Sequence, residues 1–281
     1  MSWIGATTGD APAGSTSGII TLTSDFGLRD PFVGVMKGRI LLRHPQARII
    51  DLTHEVLAHW PAEAGFWLAR SYAWFPAGTV HVAVVDPGVG TSRDIVLLES
   101  RGHWLLAPDN GLLEPIARAD AASRAWRLDT AGLARCGVGR ASATFHGRDI
   151  FAPVAAELSA GRVRPPDLGD RVRELVPSWV DEPSVADGRV AGRVITIDHF
   201  GNLITDIDAS SVEGLREPVV HAGGLSLPLR RTYGDCAPGS TLALVNSFGV
   251  LELAVAEGRA SDRLGLSRGA PVVVIDAVRR N

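Results

Sequence analysis

A chain of 281 residues, 46% hydrophobic and 21% charged, is long enough to bury a full core and to form two domains. Its formal net charge of −3, with no run of five or more among its 28 basic residues, argues against nucleic acid or a membrane surface as partner. No stretch approaches the ~20 apolar residues of a membrane span, and Cys136 and Cys236, the only cysteines, fit a reducing, cytoplasmic setting.

Residues 1–17 lack a basic start followed by an apolar block and read as a disordered tail. Residues 18–165 alternate short apolar runs with helical spacing. That pattern predicts an α/β domain with a mainly parallel central sheet covered on both faces. Strands are expected at 19–23, 48–52, 80–85, 95–98 and 104–107. Asp30-Pro31 followed by Phe32, Val35, Met36 and Ile40 predicts a capped helix; Pro61 before Phe66, Leu68 and Tyr72 predicts another. A third is expected from about Asp149, carrying Phe151, Val154, Ala155 and Leu158. Residues 166–188, with Pro166, Pro177 and Pro183 among mixed charges, have linker composition. Strand-like runs then recur at 189–197, 225–229, 241–245, 250–255 and 271–275, which predicts a smaller all-β barrel domain over 189–281.

Several apolar runs end in an acid and a glycine-bearing turn: GIITLTSDFG at Asp25, VHVAVVDPGVGTSR at Asp86, HWLLAPDNG at Asp109 and RVITIDHFGN at Asp198. In open parallel sheets the ligand crevice lies beyond the carboxyl ends of the strands, so these carboxylates are expected to converge on one pocket. Asp86 and Arg93 flank the turn PGVGTS, and alone they read as an ion pair stapling a loop. His146, in TFHGRD, alone reads as a solvated loop histidine. Together they form an acid-base group, because histidine titrates near neutrality and a carboxylate can fix its tautomer. IDHFGN reads either as a β-turn whose Asp198 and Asn202 bond local backbone or as a base-reading element, with Tyr233 or Phe200 stacking on an adenine. Gly88-Val89-Gly90 lacks the third glycine of a dinucleotide fingerprint. His54 and His59 are poorly spaced for zinc, whereas Asp25, Asp86 and Asp109 are candidate Mg²⁺ ligands.

The motifs TLTSDFG, DPGVGTSR, PDNGLLEP, FHGRDIFAP and IDHFGN, in this order, resemble those of the S-adenosylmethionine hydroxide adenosyltransferases, the adenosine-forming S-adenosylmethionine hydrolases related to fluorinase and chlorinase. The resemblance spans residues 19–275. It implies an N-terminal α/β domain, a C-terminal β-barrel, a homotrimer with active sites at subunit interfaces, and no cofactor or metal. It implies hydrolysis of S-adenosyl-L-methionine to adenosine and L-methionine, with activated water attacking ribose C5′. By resemblance the water-activating trio is Asp86, Arg93 and His146. Asp25 would hold the ribose hydroxyls, Asp30 the methionine ammonium, and Trp60 the side of the sugar. Asp198 and Asn202 would read the base, Tyr233 with Phe200 would stack on it, and Ser247 would hold the methionine. Fluorinase-like enzymes carry tyrosine where this chain has Asp86, serine at Gly147 and arginine at Phe248. Relatives often carry asparagine at Ala256. Two other functions compete: a non-catalytic S-adenosylmethionine or adenosine sensor, and a metal-dependent nucleoside or phosphoester hydrolase.

Overall fold

A computed structural model describes residues 16–279, and the chain divides into two compact units, Met1–Trp179 and Val180–Asn281. Residues 1–15 of the expected disordered tail lie outside the described residues. Ser17 is tied to the first unit: its amide donates to the Gly78 carbonyl at 3.2 Å and its hydroxyl lies 3.1 Å from that of Thr79.

The first unit is built on seven strands: β1 (Ile19–Ser24), β2 (Arg48–Thr53), β3 (Val80–Val84), β4 (Ile95–Ser100), β5 (His103–Pro108), β6 (Arg124–Leu128) and β7 (Gly169–Val172). They form one mixed sheet in the order β2-β1-β3-β5-β4-β6-β7. The β2-β1-β3-β5 half is parallel, as the apolar runs imply. The β5-β4-β6-β7 half is antiparallel. Its reversal starts at the two-residue turn Arg101-Gly102, where φ of +49° and +78° matches the twist of a tight hairpin.

Five helices cover the sheet: α1 (Phe32–Leu41), α2 (Pro61–Ser71), α3 (Glu114–Ala119), α4 (Thr130–Arg135) and α5 (Ala152–Ser159). Alternate residues of each strand face opposite layers. Val82 and Val84 pack with Met36 and Ile40 of α1 and Val154 and Ala155 of α5. Ala83 and Val85 pack with Ala64 and Leu68 of α2 and Ile116 of α3. The helix expected from Asp149 begins instead as a π-helical turn, Gly147–Phe151, before α5. Pro153 explains the irregularity, because it has no N–H for the carbonyl four residues earlier and its ring crowds that carbonyl.

The second unit holds β8 (Ser184–Ala186), β9 (Arg189–Ile197), β10 (Leu203–Asp208), β11 (Pro218–Ala222), β12 (Leu225–Arg230), β13 (Thr241–Val245), β14 (Val250–Val255) and β15 (Pro271–Asp276). The order β10-β14-β13-β12-β11-β15-β9 closes on itself through β9–β10 pairing, making a seven-stranded barrel with β8 added beside β9. Only β12–β13 is parallel. Closure removes exposed edges. Val194, Leu203, Val220, Leu227, Leu253 and Val272 are among the residues that fill the interior. Residues 166–188, read from the sequence as a linker, contribute β7 to the first sheet and β8 to the barrel.

Candidate active site

In the first unit, the loops after the parallel strands β1 and β3 and the segment before the π-helical turn line a cavity of about 290 Å³. Its walls include Asp25, Asp86 and His146 with Phe26, Phe32 and Phe145. Asp86 follows β3, and its position is fixed by Asn110, whose Nδ2 donates to the Val85 carbonyl at 2.9 Å. The turn to Arg93 lies against the chain before His146. A Cβ at Gly90 (φ +78°) would collide with the Ala143 carbonyl, so only glycine permits that approach.

Arg93 bridges the acid and the imidazole. Its Nε donates to Asp86 Oδ1 at 3.0 Å and Oδ2 at 2.9 Å, its Nη2 also reaches Oδ2, and Nη2 lies 2.8 Å from His146 Nδ1. The two side chains of the ion pair are only 5% and 11% exposed, so charge that is costly to bury is matched within the site. A guanidinium has donors only; His146 Nδ1 must therefore accept, and the neutral ring carries its proton on Nε2. Burial and the facing Arg93 lower the His146 pKa, outweighing the opposite pull of Asp86, Asp149 and the Ser142 backbone. The imidazole is accordingly neutral at pH 7.

The segment carrying His146 is held by Asp149, whose Oδ2 accepts from the Ser142 amide at 2.9 Å and the Ser142 hydroxyl at 2.6 Å. The Arg148 guanidinium beside Asp149 holds that carboxyl well below the usual range. The Asp25 loop is stitched similarly. Ser24 Oγ lies 2.7 Å from His54 Nδ1, His54 Nε2 lies 3.1 Å from Asp51 Oδ1, and Asp25 Oδ2 accepts from the His59 amide at 2.9 Å. Phe26, Phe32 and Phe145 meet edge to face with centroids 5.4–6.0 Å apart. These rings lie within or beside the motifs TSDFG, DPF and TFHG, yet residue type alone does not distinguish a wall from a core.

The second unit has its own cavity of about 590 Å³, lined by His199, Phe200, Asn202, Tyr233, Glu257 and Arg259 among others. Asp198 lies in the turn between β9 and β10, where its Oδ1 accepts from the Asn202 amide at 2.8 Å and its Oδ2 from Asn202 Nδ2 at 3.3 Å. The local-turn reading of IDHFGN therefore holds geometrically, while the same turn presents Phe200 and Asn202 to the cavity. Tyr233 is held by a 2.6 Å bond from its hydroxyl to Glu252 Oε1.

Of the strand-end carboxylates expected to converge, Asp109 is not among the residues lining the first cavity. Asp25 and Asp86 line it, whereas Asp109 Oδ1 accepts from the Val176 amide at 2.9 Å; Asp198 belongs to the second unit. Asp109 is a stitch because the backbone at 176 lies alongside it. Asp30, Trp60 and Ser247 are not among the residues lining either cavity; Asp30 precedes α1 and is exposed, Trp60 is half-buried at the start of α2, and Ser247 is exposed between β13 and β14. Among the described residues no three His, Cys, Asp or Glu side chains are grouped as metal ligands.

Comparison with known proteins agrees with this architecture. The SAM hydroxide adenosyltransferase N-terminal domain matches residues 20–169 and the corresponding C-terminal domain residues 192–273. An (R)-S-adenosyl-L-methionine hydrolase of Thermus thermophilus is 39% identical over 254 residues, covering 89% of this chain and 96% of that protein. A protein of the same name from Salinispora tropica is 40% identical over 260 residues, covering 89% and 95%. A fluorinase of Nocardia brasiliensis is 29% identical, covering 84% and 89%. The crystal structure of an uncharacterized conserved protein from Thermotoga maritima superposes with a TM-score of 0.83 at 34% identity, covering 91% of this chain and 99% of that one. This chain belongs to the SAM hydroxide adenosyltransferase family.

Proposed function

We propose that this chain hydrolyses S-adenosyl-L-methionine to adenosine and L-methionine, with Asp86 receiving the proton of the attacking water and with Arg93 and His146 positioning Asp86. The water oxygen bonds to ribose C5′ in line with the C5′–S bond, whose electron pair passes to sulfur. Methionine leaves as a neutral thioether and needs no proton. The water proton goes to Asp86 and then to solvent. The observation carrying this assignment is the Arg93 bridge. His146 Nδ1 is occupied by a guanidinium that cannot be deprotonated and Nε2 already bears the ring proton, whereas Asp86 Oδ1 accepts a single bond from Arg93 and keeps a lone pair, so the carboxylate is the remaining proton acceptor of the trio. Catalysis then rests on orientation and on fixed charge in a cleft walled by three phenylalanine rings.

Two features favour water over a halide at this position. A carboxylate at Asp86 repels an anion. Gly147 leaves little room, since a Cβ there would meet Met36 Sδ at 3.0 Å and the Phe145 ring at 3.2 Å. Asp25 takes the ribose hydroxyls, with Asp30 toward the ammonium and Trp60 toward the sugar. In the barrel, Asn202 and Asp198 read the base, Tyr233 and Phe200 stack on it, and Ser247 takes the methionine end. The relatives' names specify the (R) sulfonium epimer, and we assign that epimer to this chain as well. A homotrimer with interfacial active sites accords with the exposed apolar residues Phe32, Val35, Leu42 and Ile50 on α1, its C-terminal side and the edge strand β2. Cytoplasmic placement accords with the unpaired state of Cys136 and Cys236.

The test is incubation of purified protein with each sulfonium epimer separately in halide-free buffer with and without EDTA, followed by chromatography for adenosine and methionine. Equimolar products from the (R) epimer, absent with Asp86→Ala, are expected. Binding without products would establish the sensor, and loss of turnover on adding EDTA would establish a metal-dependent hydrolase.

A further inference from the structure

Glu252 lies at the centre of β14, a strand with no exposed residue, and is itself 2% exposed between Leu251 and Leu253. A carboxylate in that setting is costly unless donors occupy its oxygens. Two do. Oε1 accepts from the Tyr233 hydroxyl at 2.6 Å, and Oε2 accepts from Asn246 Nδ2 at 3.1 Å.

The donors come from different connections of the barrel. Tyr233 begins the 3₁₀ turn Tyr233–Asp235 and lines the cavity with Phe200 and Asn202, its ring 44% exposed. Asn246 opens the turn between β13 and β14. Its Oδ1 accepts from the Phe248 amide at 2.9 Å and the Val250 amide at 3.3 Å, which fixes its Nδ2 as the group facing Glu252. That turn carries Ser247 and Phe248. A half-exposed ring otherwise turns about two torsions, and the phenol bond removes that freedom before a ligand arrives.

We propose that Glu252 is a positioning residue of the substrate site, a single buried carboxylate that sets both the ring plane of Tyr233 and the turn bearing Ser247, and so registers the adenine end against the amino-acid end of the ligand. The inference rests on the assignment of Tyr233 to adenine and Ser247 to methionine made above. Burial, with the charge of Asp198, raises the Glu252 pKa in spite of its two donors, and burial with the facing Glu252 raises that of Tyr233, so the phenol remains the donor.

The test uses the full-length enzyme with Tyr233→Ala, Tyr233→Phe, Glu252→Gln, Asn246→Ala and the double variant Tyr233→Phe/Glu252→Gln. Readouts are KM and kcat for S-adenosylmethionine, inhibition constants for adenosine and for methionine, and melting temperature. Tyr233→Phe, which keeps the ring, is expected to raise KM and the adenosine inhibition constant about threefold to tenfold, the order for immobilising one freed side chain on binding, with kcat changed less than threefold. Asn246→Ala is expected to raise the methionine constant alone. Glu252→Gln is expected to raise both, and the double variant to resemble Glu252→Gln because the lost contact is shared. Multiplying effects on KM in the double variant, or wild-type KM in Tyr233→Phe, would overturn the role of Glu252. If Glu252→Gln does not fold, Tyr233→Phe and Asn246→Ala decide. Wild-type adenosine affinity in Tyr233→Ala, by calorimetry, would instead remove the adenine assignment and the inference with it.

Discussion

The two cavities are held by different forces. In the first unit the walls that bear chemistry are charged and nearly buried: Asp86 and Arg93 lock each other and His146 in place. In the barrel the side chains proposed to stack on the base project from turns, Phe200 at 69% and Tyr233 at 44% exposure. The contrast matches the role proposed for each. A proton acceptor needs fixed geometry and a matched local charge, whereas a ring that stacks on a base needs an open face and a restrained plane. Substitutions of Asp86, Arg93 and His146 should therefore act on kcat, and those of the barrel's Phe200 and Tyr233 on KM.

The largest break in that comparison is expected at Asp86. Asp86→Asn keeps nearly the same shape but removes the proton acceptor and half of the ion pair. A loss of about 10²–10⁴ in kcat is expected, the range for a positioned acid or base, with adenosine affinity by calorimetry changed less than threefold. Equal loss of both would show that Asp86 serves binding.

Arg93 comes next, because its loss acts on structure as well as chemistry. Arg93→Ala leaves the Asp86 carboxylate buried without its partner, and breaking such a pair costs about 3–5 kcal/mol. A lower urea midpoint together with reduced kcat is expected. Full stability in Arg93→Ala would mean that solvent reaches Asp86 and that the site is less enclosed than its geometry implies.

His146 offers a finer distinction. If it positions Arg93 through an accepting Nδ1, a neutral amide acceptor substitutes in part: His146→Asn is expected to retain kcat within about tenfold, whereas His146→Ala loses more. Protonating the wild-type ring places a donor against the guanidinium. Because the folded pKa is lowered, wild-type kcat/KM should hold down to about pH 6.5, the unperturbed value, and fall only below it, with this limb absent in His146→Asn. Activity lost equally in the Asn and Ala variants would restore His146 as the base.

Much of this was legible in the sequence, and unevenly. The buried parallel strands announced themselves because β1, β3 and β5 are built mostly of apolar residues and are buried along their whole length. Asp86, Arg93 and His146 were legible as a set through their motifs. The stitching role of Asp109 was not, because it depends on where residue 176 passes, and nothing near Asp109 in sequence records that. Glu252 was hidden by its neighbours: VLELAV reads as a strand with one polar interruption, and only the folded barrel brings Tyr233 and Asn246 to it. β10 escaped because Asp206 and Asp208 interrupt its apolar pattern, and β11 because Pro218 begins it.

The units should also part company in acid. His81 and His103 lie in adjacent strands of the first unit, at 0% and 1% exposure, with His81 Nδ1 2.8 Å from Thr21 Oγ1 and its Nε2 3.2 Å from His103 Nδ1. Burial, with the neighbouring His103, pulls the His81 pKa down to about 3, and burial pulls that of His103 down to about 4. In the unfolded chain both rings take up protons near pH 6.5. Between that value and 3–4 the unfolded state binds more protons, so stability is full above pH 6.5 and falls as the pH falls, by roughly 1.4 kcal/mol per pH unit for each proton. The barrel's histidines, His199 and His221, are at least partly exposed. All seven tryptophans precede residue 180, so their fluorescence in urea titrations reports on the first unit. His103→Gln is expected to reduce the slope of stability against pH between 6 and 4 by about one proton, because one of the two buried rings no longer titrates. An unchanged slope would mean that other groups govern acid unfolding, and that the polar pair beneath the catalytic sheet is indifferent to pH.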